Sequence, residues 1–267
     1  MDSVGGCMKL STRLTKIAEQ IPTGSRLADI GSDHALLPVF AMRKGIITEA
    51  IAGEVNVGPR DAAQRQVNEA GLKEKINVRL GNGLAVIEPG EVDVVTIAGM
   101  GGVLIVSILS EGIDKLAGVQ RLVLQPNVGE ENVRRWLLEH DWFLSHEQIL
   151  EEDGRIYEIL TADRLPDASV QNQQLYAGIT LTARSTDHQV NDYHVDQDSL
   201  LRFGPYLIQE GSTIFQYKWS QEINKLEKVA ASTGKSENEE AQAKSAAFRQ
   251  QLQTVKEVLV CLQKDKL

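Results

Sequence analysis

The residues with the most chemical content lie at 29–34 and at 54. An apolar run, Leu27-Ala-Asp-Ile, carries Asp29, meets Gly31 and is followed by Ser32-Asp33-His34 and a helix-like segment. The next apolar run closes on Glu54, at roughly the ~20-residue spacing where α/β folds place a ribose-binding carboxylate. Dinucleotide-binding turns carry G-x-G-x-x-G because glycine lets the backbone approach a pyrophosphate. Here the second glycine position is Asp33. A carboxylate in that turn repels a pyrophosphate, whereas Asp29 and Asp33 together suit a cationic sulfonium or ammonium. The pattern favours S-adenosylmethionine over NAD, with Asp29, Gly31, Ser32, Asp33, His34, Glu54 and Val55 as its expected contacts.

Three further motifs follow strand-like runs. Gly81-Asn82-Gly83-Leu84 offers a side-chain amide for the edge of an adenine ring, a plain turn being the alternative. Ala98-Gly-Met-Gly-Gly102 ends the fourth strand-like run. Glycines at the carboxyl end of a parallel strand let a flat base or a transferred methyl approach the backbone, so Ala98 and Met100 join the cofactor set and Gly99 and Gly101 the reaction centre. The alternative there is a phosphate loop, which G-x-G-G before a helix resembles, but no Lys-Ser or Lys-Thr follows to grip a β/γ-phosphate, which speaks against a kinase or NTPase. Leu124-Gln-Pro-Asn127 ends the fifth run. Asn127 is expected to cap the following helix, whose Glu130 and Glu131 suit the dipole, and Gln125 is placed to contact a substrate base.

Positioning these residues takes a parallel sheet. Helical spacing over residues 10–20, 35–44, 58–70 and 130–140 alternates with strand-like runs at 26–30, 49–53, 77–80, 92–98 and 121–125, Gly71 serving as a helix C-cap. Two alternating stretches, 143–152 and 155–161, flank the hairpin dipeptide Asp153-Gly154. Five strands with helical crossovers closed by an antiparallel hairpin is the order of a class I, Rossmann-like methyltransferase. Residues 163–199 are rich in Asp, Gln, Asn, Ser and Thr, with one strand-like or helical apolar patch near Leu175 to Leu181, and read as a linker or an irregular connector. Beyond Tyr206 one helical stripe runs through Leu207, Phe215, Trp219, Ile223, Leu226 and Val229, and a second through Ala243, Ala247, Leu252, Val255, Val258, Leu259 and Leu262. These predict an antiparallel coiled-coil hairpin turning at 232–236. The expected division is a methyltransferase domain over 1–163 and a linker with the helical hairpin over 164–267.

The chain has 267 residues, 42% of them apolar, enough for a full core. It lacks an ~18-residue apolar run and a secretory leader, so a cytoplasmic protein with no membrane partner is expected. Its two cysteines, Cys7 and Cys261, lie at opposite ends without metal-ligand spacing, and no metal is expected. The net charge is −9 and both halves are acidic. A nucleic-acid partner must therefore be met by a local basic group, drawn from Arg13, Arg60 and Arg155, with Lys16 and Arg65 as solvated surface charges.

The stretch from Lys9 to Arg164 resembles the bacterial tRNA (adenine(22)-N1)-methyltransferase family, through Leu-Ser-Thr-Arg-Leu at 10–14, Asp-Ile-Gly-Ser-Asp-His-Ala at 29–35, Ile-Ala-Gly-Met-Gly-Gly at 97–102 and Leu-Gln-Pro-Asn at 124–127. The helical hairpin matches the C-terminal coiled coil that the family carries. The resemblance implies methyl transfer from S-adenosylmethionine to N1 of an adenine in the D-arm region of tRNA. Asp33 is then the candidate to stabilise the cationic product, with His34 orienting it or relaying a proton, and Arg13, Arg60, Gln125, Asn127 and Arg155 contact the RNA. Asn82 stands where the family leads one to expect Asp. A monomer is expected. A small-molecule methyltransferase and a non-catalytic cofactor-binding scaffold are the alternatives that composition leaves open.

Overall fold

The computed structural model describes residues 10–184, 190–233 and 239–263. They divide into two compact units, one ending at Asn172 and one beginning at Gln173. In the first, helices and strands alternate as α1 (Thr12–Ala18), β1 (Ser25–Ile30), α2 (Leu36–Arg43), β2 (Ile47–Glu54), α3 (Val57–Glu69), β3 (Ile76–Leu80), β4 (Val94–Gly101), α4 (Gly102–Glu111), β5 (Arg121–Val128), α5 (Glu130–Glu139), β6 (Phe143–Glu152) and β7 (Arg155–Asp163). A 3-10 turn, Gly83–Val86, follows β3. Gly71, at φ +72°, terminates the α3 segment.

The strands form one sheet in the order β3-β2-β1-β4-β5-β7-β6. The first five are parallel and β7 runs antiparallel to both its neighbours. Chain order reverses between β1 and β4, and in such sheets the crevice outside the carboxyl ends at that point binds ligands. Parallel strands flanked by helices are buried on both faces, which is why β1, β4 and β5 read as continuous apolar runs. Leu27, Val94, Val95, Ile97, Leu122, Val123 and Leu124 are all buried. Asp153 and Gly154 both take positive φ, the backbone of a primed two-residue hairpin turn.

The second unit corrects two expectations. Residues 163–199 are not an irregular connector: α6 (Ala168–Leu175) leads across the boundary into an antiparallel ribbon of β8 (Ile179–Arg184) and β9 (Val190–Val195), and α7 (Gln197–Phe203) follows. The ribbon alternates, Ile179 and Leu181 opposite Val195 and Tyr193 with Thr180 and Thr182 opposite His194 and Asp192, but it carries few apolar residues, so composition showed only the patch near Leu175 to Leu181. The stripe from Tyr206 is two helices, α8 (Pro205–Glu210) and α9 (Thr213–Thr233), broken at Gly211 with φ +55°. Leu207 therefore belongs to α8, and Val229 is partly exposed. α9 pairs with α10 (Glu239–Gln263), where Val255, Val258 and Leu259 are buried. Most of the expected turn at 232–236, like Cys7, lies outside the described residues.

Candidate active site

A cleft of about 380 Å³ opens at the carboxyl ends of β1 and β4, lined by Arg13, Leu14, Asp29, Gly31, Ser32, Asp33, Leu37, Ala98, Gly99, Met100, Asn127, Arg155 and Tyr157. A larger cavity of about 470 Å³ lies along β1, β2 and β3, but its arginines are already committed, Arg26 to Asp93 and Arg79 to Glu91. The smaller cleft holds the groups with chemistry to offer.

Its floor begins at Asp29, the penultimate residue of β1. Both carboxyl oxygens accept hydroxyl hydrogen bonds, from Ser32 at 2.5 Å and Thr96 at 2.6 Å. Burial raises the pKa of this carboxyl and the two hydroxyls offset part of the rise. Gly31 follows at φ +69°, where an added Cβ would stand 2.2 Å from the Met100 methyl. The next residues are not glycines, yet Asp33, His34 and Ala35 take φ of +39°, +65° and +55°. Left-handed backbone costs an L-residue roughly 1–2 kcal/mol, and such strain concentrates at ligand sites. The turn throws the Asp33 side chain outward, 87% exposed, with His34 Nε2 3.6 Å from its Oδ1.

Glu54, which ends β2, is tied to this turn because its carboxylate accepts the Asp33 backbone N–H. Burial, reinforced by the charges of Asp29 and Asp33, holds its pKa above the ordinary glutamate value. Its Oε1 is buried without a hydrogen-bond partner. A buried carboxylate oxygen left unpaired is costly, so it marks the place of a missing donor. Ribose hydroxyls supply such donors. The residues present therefore fit an adenosine-bearing cofactor with a cationic centre near Asp29 and Asp33.

The opposite wall is a hydrogen-bonded lattice. Pairing of β4 with β5 skips from Ala98↔Gln125 to Met100↔Pro126, so Gly99 is a bulge, at φ +77°. Buried Gln125 accepts from the Gly99 N–H at 3.2 Å and from Arg13 Nη1 at 2.5 Å, and donates to Asn127 Oδ1 at 3.1 Å. Asn127 Nδ2 closes the ring on the Gly99 carbonyl at 2.8 Å. This replaces the expected capping role, since the N-cap of α5 is Gly129 with no side-chain cap bond. The Arg13 guanidinium also lies 5.3 Å from the centroid of the Tyr157 ring. Glu152 accepts the N–H groups of Thr12 and Arg13 at the start of α1. Although burial works the other way, these bonds bring its pKa below the ordinary value.

Ten of the expected site residues thus line one cleft, and Gln125 stands directly behind it. Glu54 reaches it through Asp33, and Gly101 is the N-cap of α4. Val55, Asn82 and Gly83 stand at the ends of β2 and β3, with Val55 and Asn82 exposed. Arg60 lies apart on α3, its Nε 3.0 Å from Asp61 Oδ1 but out of line for a hydrogen bond. Sequence reasoning missed Leu14, Leu37 and Tyr157. The signal for Tyr157 was the period of two that puts it on the same face of β7 as Arg155. Among the described residues no group of three His, Cys, Asp or Glu side chains is placed to hold a metal.

The chain matches a methyltransferase-domain family over residues 10–160 and the tRNA (adenine(22)-N(1))-methyltransferase family over 182–257. It is 40% identical over 253 residues to the Bacillus subtilis tRNA (adenine(22)-N(1))-methyltransferase, covering 94% of this chain and 98% of that one. The crystal structure of the B. subtilis m1A22 tRNA methyltransferase TrmK superposes with a TM-score of 0.82 at 40% identity, over 94% of this chain and 99% of that one. The Streptococcus pneumoniae protein Sp1610, solved in complex with S-adenosyl-L-methionine, superposes with a TM-score of 0.74 at 42% identity, over 94% of this chain and all of that one.

Proposed function

The chain belongs to the tRNA (adenine(22)-N(1))-methyltransferase family, and from that premise we infer that it moves a methyl group from S-adenosylmethionine to N1 of adenine 22 in tRNA. The observation that carries this reading to the residues is the cleft at the β1/β4 switch point, where the Asp29 and Asp33 carboxylates face the bulged Gly99 loop.

S-adenosylmethionine, when bound, supplies an electrophilic methyl on a sulfonium. Glu54 Oε1 would accept from its ribose, while Asp29, Gly31, Ser32, Asp33 and His34 would shape the turn around its cationic end. Val55, Asn82, Gly83, Ala98 and Met100 border the rest. Adenine N1 carries its own lone pair, so the enzyme's contribution is alignment rather than deprotonation. The lattice of Gln125, Asn127 and Gly99 supplies that alignment by fixing the wall against which the base is set. N1 methylation leaves a positive charge on the ring, which the outward carboxylate of Asp33 stabilises, with His34 beside it. Gly99 and Gly101 would keep the backbone clear for the reacting groups. Arg13, Arg155 and, farther out, Arg60 meet the RNA.

We propose that the methyltransferase domain spans 1–163 and the helical domain 164–267, the compact units of the described residues meeting at Asn172 and Gln173. Among the described residues no helix is long and apolar enough to cross a membrane. A tRNA substrate puts the reaction in the cytoplasm, and we read the enzyme as a monomer.

The test is transfer of labelled methyl from S-adenosylmethionine to unmodified tRNA, with nucleoside analysis and a transcript changed at adenine 22. N1-methyladenine that disappears with the changed transcript is the expected result. Tight cofactor binding without labelled tRNA would sink the assignment and redirect the search to small acceptors.

A further inference from the structure

Beside the cleft the surface changes character. Val103 is 72% exposed, Leu104 51% and Val128 67%, and Val103 and Val128 are the most exposed large hydrophobic side chains among the described residues. Val103 and Leu104 open α4 directly after the Gly99-Met100 segment that lines the cleft, and Val128 follows Asn127, which also lines it. The two corners are joined, since Gly101 pairs with Val128.

The junction is also stiff. An added Cβ at Gly102 would stand 2.1 Å from the Gly129 carbonyl oxygen, so the two backbones touch and only glycine fits between them. Valine adds its own stiffness at χ1. Glu130 and Glu131 begin α5 beside this patch, so a phosphate backbone is repelled there and a base is not.

We infer that Val103, Leu104 and Val128 form an apolar wedge that enters the base stack of the RNA beside the target adenine and holds it open while that base occupies the cleft. The inference rests on the tRNA-methylation reading above. A base buried in a folded RNA must leave its stack before N1 is reachable, at a cost of about a few kcal/mol. Proteins that unstack bases do it with aliphatic side chains set between base steps. A wedge must also be rigid and continuous with the site that receives the base, and this patch is both.

The experiment uses the full chain, wild type and V103S/V128S, with a tRNA carrying 2-aminopurine in place of adenine 22, whose fluorescence rises on unstacking. Methyl transfer by the wild type to ordinary tRNA is measured first, because its absence defeats the underlying reading rather than the wedge. The double variant is expected to bind S-adenosylmethionine within about twofold of wild type, as surface changes do. It should still bind tRNA but lose the fluorescence rise, with kcat/KM for methylation at least about tenfold lower, and V103L/V128I should restore both. A fluorescence rise and kcat/KM within about twofold of wild type would overturn the inference and leave a protein as the occupant of the patch. An equal loss of cofactor affinity would overturn it too, since the patch would then act through the cleft.

Discussion

Glu54 is the residue whose surroundings say most about what the site takes. Its Oε1 has no partner in a protein that otherwise satisfies the neighbouring carboxylate of Asp29 twice. Glu54→Gln keeps an acceptor for the Asp33 N–H and removes the charge. A lost hydrogen bond to a charged group is worth about 1.5–3 kcal/mol, so cofactor affinity measured by calorimetry should fall about tenfold or more. The same change has a pH signature in the cofactor-free protein. Because burial raises the carboxyl's pKa in the folded state, the folded chain holds a proton that the unfolded chain has released. The stability tied to Glu54 is therefore full below the ordinary glutamate pKa and declines as pH rises through the raised one. Relative to wild type, the Gln variant should gain in Tm between pH 5 and pH 7.5, and an equal difference at both would show that burial does not govern this group.

At the scale of elements, the β6–β7 hairpin carries Arg155 and Tyr157 to the cleft and Glu152 to the start of α1. Its anchor is Arg134 on α5, fully buried, with Nε 2.6 Å from Glu147 on β6 and Nη2 bonded to Glu158 on β7. Breaking a buried ion pair by removing one partner costs about 3–5 kcal/mol, because the charge left behind is unsolvated. Arg134→Met, which leaves two such carboxylates, should lower unfolding free energy in urea by at least that amount, while Glu147→Gln, which keeps the Arg134–Glu158 pair, costs less. This hairpin also shows where the sequence is legible. Asp153-Gly154 announced the turn, since few pairs tolerate two positive φ values, and the buried parallel strands announced themselves as apolar runs. The link that orients Arg13 spans residues 13 and 125, and no local pattern encodes it. Asn127 was misread as a cap for the same reason, its partner Gly99 lying on another strand. The β8–β9 ribbon was hidden because its alternating positions are filled by Thr, Asn and Asp, which composition assigns to loops.

For the molecule as a whole, the formal charge of −9 sets a limit on how it holds a polyanion. Each phosphate neutralised by a cation steepens the fall of log affinity with log salt by about 0.7–0.9, through counterion release. Of the arginines expected to meet RNA, Arg13 is held by Gln125 and Tyr157, Arg60 sits beside Asp61, and only Arg155 is exposed at the cleft without such a neighbour. Two phosphate contacts from these residues would give a slope of only about −1.4 to −1.8. tRNA affinity between 50 and 300 mM salt, read by filter binding, should therefore fall only about 12- to 25-fold, most of the recognition coming from the shape of the RNA and from contacts to the displaced base. A slope steeper than about −5 would require several further cations acting together, and it would move the main RNA contact away from the cleft to a basic surface elsewhere on the chain.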